Sequence, residues 1–512
     1  MRNIKKLIGF LLVIAFMMTG TFFLSCYAEE ASTVKTGGVL TVAIDSEPMQ
    51  LDPHLVQQTL VISINDLFHD FLWRWDKDFK EFLPKIAENW KWINDTNLLV
   101  NVRKGIKFHN DRELNANDVK YSIDRILDPK TASPWAAYLE SIQEVKVNDD
   151  YSLTIQLKNP WWGLMDRLSS IAIIPKEAVE KYGDLKTNPV GCGPFVFGGW
   201  DSGIQIKAKK FKDYYIENQP SLDEVILKFM PVYNTAKSAL LTGDVDLIVW
   251  PDPSDLESLQ SNKDFELFKY SQMAIMYVNF STKSKYLDNK LVRKAISLVL
   301  DRDAFNTALY KGQGEIGWTP ILKTQSYYSK DWEYVRNVEE AKKLLAEAGY
   351  PDGGFKLRIL ALKGAEEIMG EVIYSNLADI GIQGEIEVAE IPEALDRMLK
   401  KEDFDISGLG DLISPDPDFF ASKYLLSDGQ MAALTGHWDN TEVRKLIEEG
   451  RSTLDEAKRA EIYKRIYDIV LDENPMTFVA YPVRFPVYKT YLENFFVSGD
   501  MRYNWSEMWL NK

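Results

Sequence analysis

The first periodicity along the chain has a repeat of two. Leu40, Val42 and Ile44 alternate with Val39, Thr41 and Ala43, and both faces are largely apolar. That pattern predicts a strand buried inside a mixed sheet. Trp90 and Trp92 then stand two apart, Asn94-Asp95 follows, and Leu98, Val100 and Val102 resume the alternation. This is a hairpin pattern. Val145 and Val147, the Asn148-Asp149-Asp150 turn, and Tyr151, Leu153, Ile155 and Leu157 repeat it. The segment 70–186 reads as a hairpin-rich unit with one or two helices near 116–127 and 134–142. Strands are expected again around Phe195, over 204–208 and over 225–229.

Later the repeat lengthens to that of a helix. Val338, Ala341, Leu345 and Ala348 form a stripe. Asn337 stands at the N-cap with Glu340 three residues on, and Gly349 stands where a left-handed stop belongs. Ala460, Tyr463, Ile466, Tyr467 and Val470 form a second stripe that ends before Pro475. No internal repeat, low-complexity tract or long linker appears. The domains must therefore be joined by strands or short crossings.

The N-terminus departs from this globular texture. Arg2, Lys5 and Lys6 precede an uncharged apolar run from Leu7 to Leu24, then small residues and Cys26. This is the layout of an export signal over residues 1–25. An uncleaved anchor is the competing reading, since the run could just span a bilayer. FFLSC is similar to a lipobox with lipid on Cys26, although Phe23 stands where Leu is preferred. Ordinary cleavage after Ala28 is the alternative. The mature chain keeps one unlipidated cysteine, Cys192, so an exported protein without a disulfide must rely on its core.

Net charge falls from −16 to −19 on removal of residues 1–25, because Arg2, Lys5 and Lys6 leave and no acid does. No basic stripe offsets it, which argues against nucleic acid and for a soluble monomer. The four histidines, His54, His69, His109 and His437, show no i, i+3 or i, i+4 pairing, and no Cys-x-x-Cys exists. Local spacing therefore builds no metal site. GCGPFVFGG lacks the Lys-Ser/Thr of a phosphate loop, and no G-x-S-x-G elbow occurs. Paired carboxylates for glycoside hydrolysis are not singled out among 76 acids. What is abundant is aromatic side chain, 14 Trp among them, which suits either core packing or a wall for sugars or peptides.

Against this background, the segment from Phe82 to Leu127 resembles the signature region of the family 5 extracytoplasmic solute-binding proteins of bacterial ABC importers. The matching residues are Pro84, Ala87, Trp90, Arg103, Gly105, Phe108, His109, Ala116, Asp118, Val119, Ser122 and Arg125. Asn110-Asp111 replaces the usual Asp-Gly. The resemblance continues through LDP at 51–53, NPVGCGPF, ALLTGDVDL, DNKLVRKAISLVLDRDAF, AKKLLAEAGYPDGGF and SPDPDFF. It implies that His109 and its basic neighbours are structural: Asn115 or Asn117 capping a helix, Asp118 at its positive end, and Arg103 paired with a carboxylate.

The resemblance implies an α/β, two-lobed periplasmic-binding-protein-like fold (class II, large type with an extra N-terminal subdomain). Lobe I would comprise 38–69, the extra subdomain 70–186, then 187–271, and a C-terminal return over 484–512. Lobe II would span 272–483. A solute would bind between the lobes without cofactor or covalent chemistry, and the closed form would dock on a membrane permease. In peptide-binding relatives an Asp in a G-D-x-x-D-P-D block holds the α-ammonium, which places Asp411 in that role. Such a contact is worth ~1.5–3 kcal/mol. Lys363 stands nearest the relatives' carboxylate-binding Arg, followed by two acids, so a dipeptide clamp is not expected. Glu47, Met49, Tyr277, Asn279, Trp318 and Trp438 are further cleft candidates by position. The expectation is a peptide receptor, with an oligosaccharide receptor and an exported hydrolase as alternatives.

Overall fold

The computed structural model describes residues 34–512; the expected signal segment and Cys26 lie outside them. Two large sheets organise the chain. The first has seven strands in the spatial order Phe265–Leu267, Val487–Lys489, Leu247–Ile248, Val39–Ile44, Glu224–Phe229, Gln205–Lys210, Phe195–Asp201. Val39–Ile44 runs parallel to both neighbours, with Val42 opposite Leu247 and Leu227. Leu40, Val42 and Ile44 pack into one core and Ala43 into another, which explains why both of its faces are apolar. The second sheet has six strands in the order Glu315–Ile316, Met476–Tyr481, Ala274–Phe280, Ile406–Leu412, Lys356–Leu362, Gln383–Ala389. Between the sheets the chain crosses twice, and the crossings pair antiparallel, Tyr270 with Arg484 and Ser271 with Val483. Two lobes joined by a pair of adjacent strands follow from this topology.

The hairpin-rich unit is a four-stranded antiparallel sheet in the order Ala87–Asn94, Asn97–Val102, Ser152–Leu157, Ile142–Asp149. Leu98, Val100, Val102, Leu153, Ile155 and Leu157 turn inward and pack with Val119, Ile123 and Ile126 of the helix Ala116–Leu127. Asn115 caps that helix in a capping box: its side chain accepts from the Asn117 N–H, and Asp118 accepts from the Asn115 N–H at 2.9 Å. Near 134–142 the helix is only Ala136–Leu139. Among the described residues Arg103 has no carboxylate partner. Its Nε donates to the Lys85 carbonyl at 3.2 Å, and its guanidinium lies 5.9 Å from the Tyr215 ring centre. The carboxylates go instead to Arg112, which pairs with Asp118 and Glu177.

His109 is a structural clasp between distant segments. Its N–H donates to the Gly191 carbonyl at 2.8 Å. Its Nε2 donates to the Gly193 carbonyl at 3.0 Å, while Nδ1 accepts from the Gly191 N–H at 3.4 Å. Those partners assign the neutral Nε2-protonated tautomer. A side chain at Gly191 would meet the Phe68 carbonyl at 2.3 Å, so only glycine fits the approach. Arg125 reaches back to Asp52 of the early LDP loop with two bonds, 2.9 and 2.7 Å. Burial pushes the Asp52 carboxyl up, but the Arg125 bonds outweigh it and hold the group below its usual range. The residues that made the sequence distinctive therefore bind the extra unit to the first lobe.

Candidate ligand-binding cleft

The centre of the second lobe is the strand Ala274–Phe280, buried at all seven positions. Ile406–Leu412 pairs with it along its whole length. On its other side Ile406–Leu412 runs parallel to Lys356–Leu362, but the two are paired only at Ile406 and Ile359. Among the described residues no further pair joins them toward their carboxyl ends. Met369 of the helix Ala365–Ala378 packs on the face of the sheet here, and a Cβ on Gly408 would lie 2.7 Å from it. In α/β sheets the crevice outside the carboxyl ends of parallel strands is where ligands bind. Asp411 lies at that end.

Asp411 is half-buried and already engaged. Its Oδ2 accepts from Lys423 Nζ at 2.5 Å and from the Tyr424 hydroxyl, and its Oδ1 accepts from the Leu412 N–H at 2.8 Å. Tyr424 in turn lies 2.9 Å from the hydroxyl of Tyr277. Because Tyr424 donates to the carboxylate, Tyr277 donates to Tyr424, and the chain of hydroxyls is polarised toward Asp411. Tyr277 is 1% exposed, so it stands behind the site rather than in it.

Lys423 opens onto a cavity of about 940 Å³ between the extra unit and the second lobe, walled by Tyr138, Trp161, Arg167, Phe419 and Arg451. The Arg167 guanidinium lies 4.4 Å from the Phe419 ring centre and 5.2 Å from that of Tyr138. Direct contacts close one side. Ser414 donates to Asp166 at 2.5 Å, the Trp162 N–H donates to the Arg451 carbonyl at 3.0 Å, and the Arg459 guanidinium lies 4.6 Å from the Trp162 ring centre. Burial raises the Asp166 carboxyl above its usual range, Arg167 opposes this, and the neighbouring Asp416 adds to it.

The other sequence candidates are scattered. Glu47 follows the carboxyl end of Val39–Ile44, where it accepts from Trp200 Nε1 at 2.7 Å and the Gly203 N–H at 3.0 Å. Met49 in the same loop is 90% exposed. Lys363 follows the strand Lys356–Leu362 at the surface and pairs with Glu390 at 2.6 Å. Asn279 is fully buried and donates to Ser407. Trp318 is packed in the core of the second lobe, with the Arg302 guanidinium 4.1 Å from its ring centre. Trp438 lies in the same core and donates to Glu473 at 3.0 Å. The two indoles the oligosaccharide alternative would use as platforms are thus core residues. Sequence reasoning missed Lys423, Arg167, Asp166 and Arg459. Lys423 alone left a readable trace, standing a few residues after the acidic SPDPDFF block on the same short helix.

A sequence model described as bacterial extracellular solute-binding proteins, family 5 (middle), matches residues 81–432. The chain belongs to that family; it is a solute-binding receptor and not an enzyme. Oligopeptide-binding protein AppA of Bacillus subtilis is 27% identical, the match covering 89% of this chain and 88% of that protein. Heme-binding protein A of Haemophilus influenzae is 29% identical, covering 86% of each chain. The structure of AppA in complex with a nonapeptide superposes with a TM-score of 0.75 at 25% identity, covering 94% of this chain and 100% of that one. An exported protein follows from the family, and among the described residues no helix is long and apolar enough to cross a membrane.

Proposed function

We propose that this protein captures peptides between its lobes and delivers them to an ABC permease. The observation that carries the reading is the side of Ile406–Leu412 turned away from Ala274–Phe280, which among the described residues is paired to a strand only at Ile406. An extended peptide can add to such an edge through main-chain hydrogen bonds, with its side chains alternating between the two faces. Asp411 sits in the subsite for one peptide end, Glu47 and Met49 come from the opposing loop of the first lobe, and Lys363 lies at the end of the neighbouring strand. The nonapeptide in the AppA complex agrees with this occupant. Closure of 38–271 and 484–512 onto 272–483 about the crossing strands completes the cage and presents both lobes to the permease. A monomer held to the outer face of the cytoplasmic membrane through lipid on Cys26 completes the proposal.

Native mass spectrometry of freshly purified protein tests the ligand class. A ladder of peptide masses released on denaturation is expected. Release of sugars alone would replace the peptide reading by the oligosaccharide one. Release of a single cyclic metabolite would remove both.

A further inference from the structure

Asp411 is the one residue that the resemblance pointed to as a holder of a positive ligand end, yet the protein supplies its own cation there. Lys423 Nζ is 2.5 Å from Asp411 Oδ2, and both side chains are largely shielded, 17% and 25% exposed. The same oxygen takes the Tyr424 hydroxyl, and the other oxygen takes a backbone N–H. Lys423 is also the member of the pair that lines the 940 Å³ cavity. Its ammonium is fixed over two rings, 5.5 Å from the centre of Phe419 and 5.3 Å from that of Tyr424. A ligand approaching Asp411 from the cavity meets Lys423 first.

We infer that Lys423 sets the specificity of this subsite, excluding a free α-ammonium and accepting a ligand end that offers an oxygen acceptor instead. The inference rests on the peptide-receptor reading above and names which peptides it takes. An ammonium brought to Asp411 would stand within a few ångströms of a second ammonium, and like-charge repulsion at that range is of the same order as the charge-assisted bond it would gain. Displacing Lys423 instead would strand its charge in a partly buried site. Lys carries three N–H donors, and one is directed at Asp411. The others suit a carbonyl or carboxylate oxygen from the cavity side. An N-acylated peptide presents such an oxygen and no charge to repel.

The test uses the mature full-length protein and a mixed-sequence peptide library divided into free-amino, N-acetyl and N-succinyl portions. The captured fractions are compared by mass spectrometry for wild type, Lys423→Met and Lys423→Gln, with thermal melts to confirm folding. Wild type is expected to enrich one of the blocked forms at least tenfold over the free-amino form. Both variants are expected to move that ratio at least tenfold toward free-amino peptides, because Asp411 is then uncovered. Succinyl leading acetyl would show that a carboxylate is held, and acetyl leading would show a carbonyl. A wild type that prefers free-amino peptides, or a ratio unchanged in both variants, overturns the inference while leaving a peptide receptor in place. Capture of no peptide in any form overturns the peptide reading and this inference with it.

Discussion

His109 shows how one side chain can be read at three levels. It lies in a basic cluster, it is half-buried, and every polar contact it makes among the described residues is to the backbone of a distant loop. Burial pushes its pKa down to about 4 from the usual 6.5, against the opposing effect of the Gly193 bond. The folded state then binds fewer protons than the unfolded state between those values. Stability from a neutral His109 is present above pH 6.5 and is lost as pH falls through that window. His109→Gln removes the titration together with the hydrogen bonds. The destabilisation it causes at pH 7, measured by urea unfolding, should shrink by about 2 kcal/mol at pH 5, since each pKa unit carries 1.36 kcal/mol. A penalty independent of pH would mean that His109 titrates normally in the fold. The sequence placed His109 in a scaffold but could not name its partners. Gly191 and Gly193 lie more than eighty positions away, and only folding brings them together.

Secondary-structure elements were legible where local rules decide them. The hairpins followed from alternation and turn residues. The cap at Asn115 followed from its own side chain, and Asn337 likewise accepts from the Glu340 N–H at 3.0 Å. Arg459 was illegible for the converse reason. It stands beside the apolar stripe of Glu456–Glu473, but its guanidinium is fully buried against Asp416, Tyr327 and the Gly450 carbonyl, all outside that helix. The single pairing of Ile359 with Ile406 was equally hidden, because it depends on how strands distant in sequence meet, as does the packing of Met369 against Gly408. Gly408→Ala tests that packing. Its Cβ would stand 2.7 Å from that of Met369 and force helix Ala365–Ala378 off the sheet. Overpacking of this kind costs about 1–3 kcal/mol. A thermal melt unchanged from wild type would show that the helix yields freely.

At the scale of the whole molecule, two sets of contacts between the lobes have different consequences. The crossing strands around Tyr270 and Arg484 are covalent connections and persist in any arrangement. The contacts of Trp162 and Asp166 with Arg451, Arg459 and Ser414 are made by residues far apart in the chain and exist only while the lobes are together. They therefore favour closure whatever the ligand, and the ligand has to contribute only the remainder of the shift. Between the lobes, Ser414→Ala with Trp162→Ala removes one hydrogen bond and one cation–π contact. Together these are worth about 2 kcal/mol, a shift of roughly thirtyfold toward the open form. Small-angle scattering of the ligand-free protein should show a larger radius of gyration for the double variant. Its peptides should bind more weakly, because a smaller fraction of the protein stands ready to hold them. A variant with unchanged scattering and unchanged affinity would mean that these contacts form after the ligand is already enclosed, and that the hinge alone sets the resting balance.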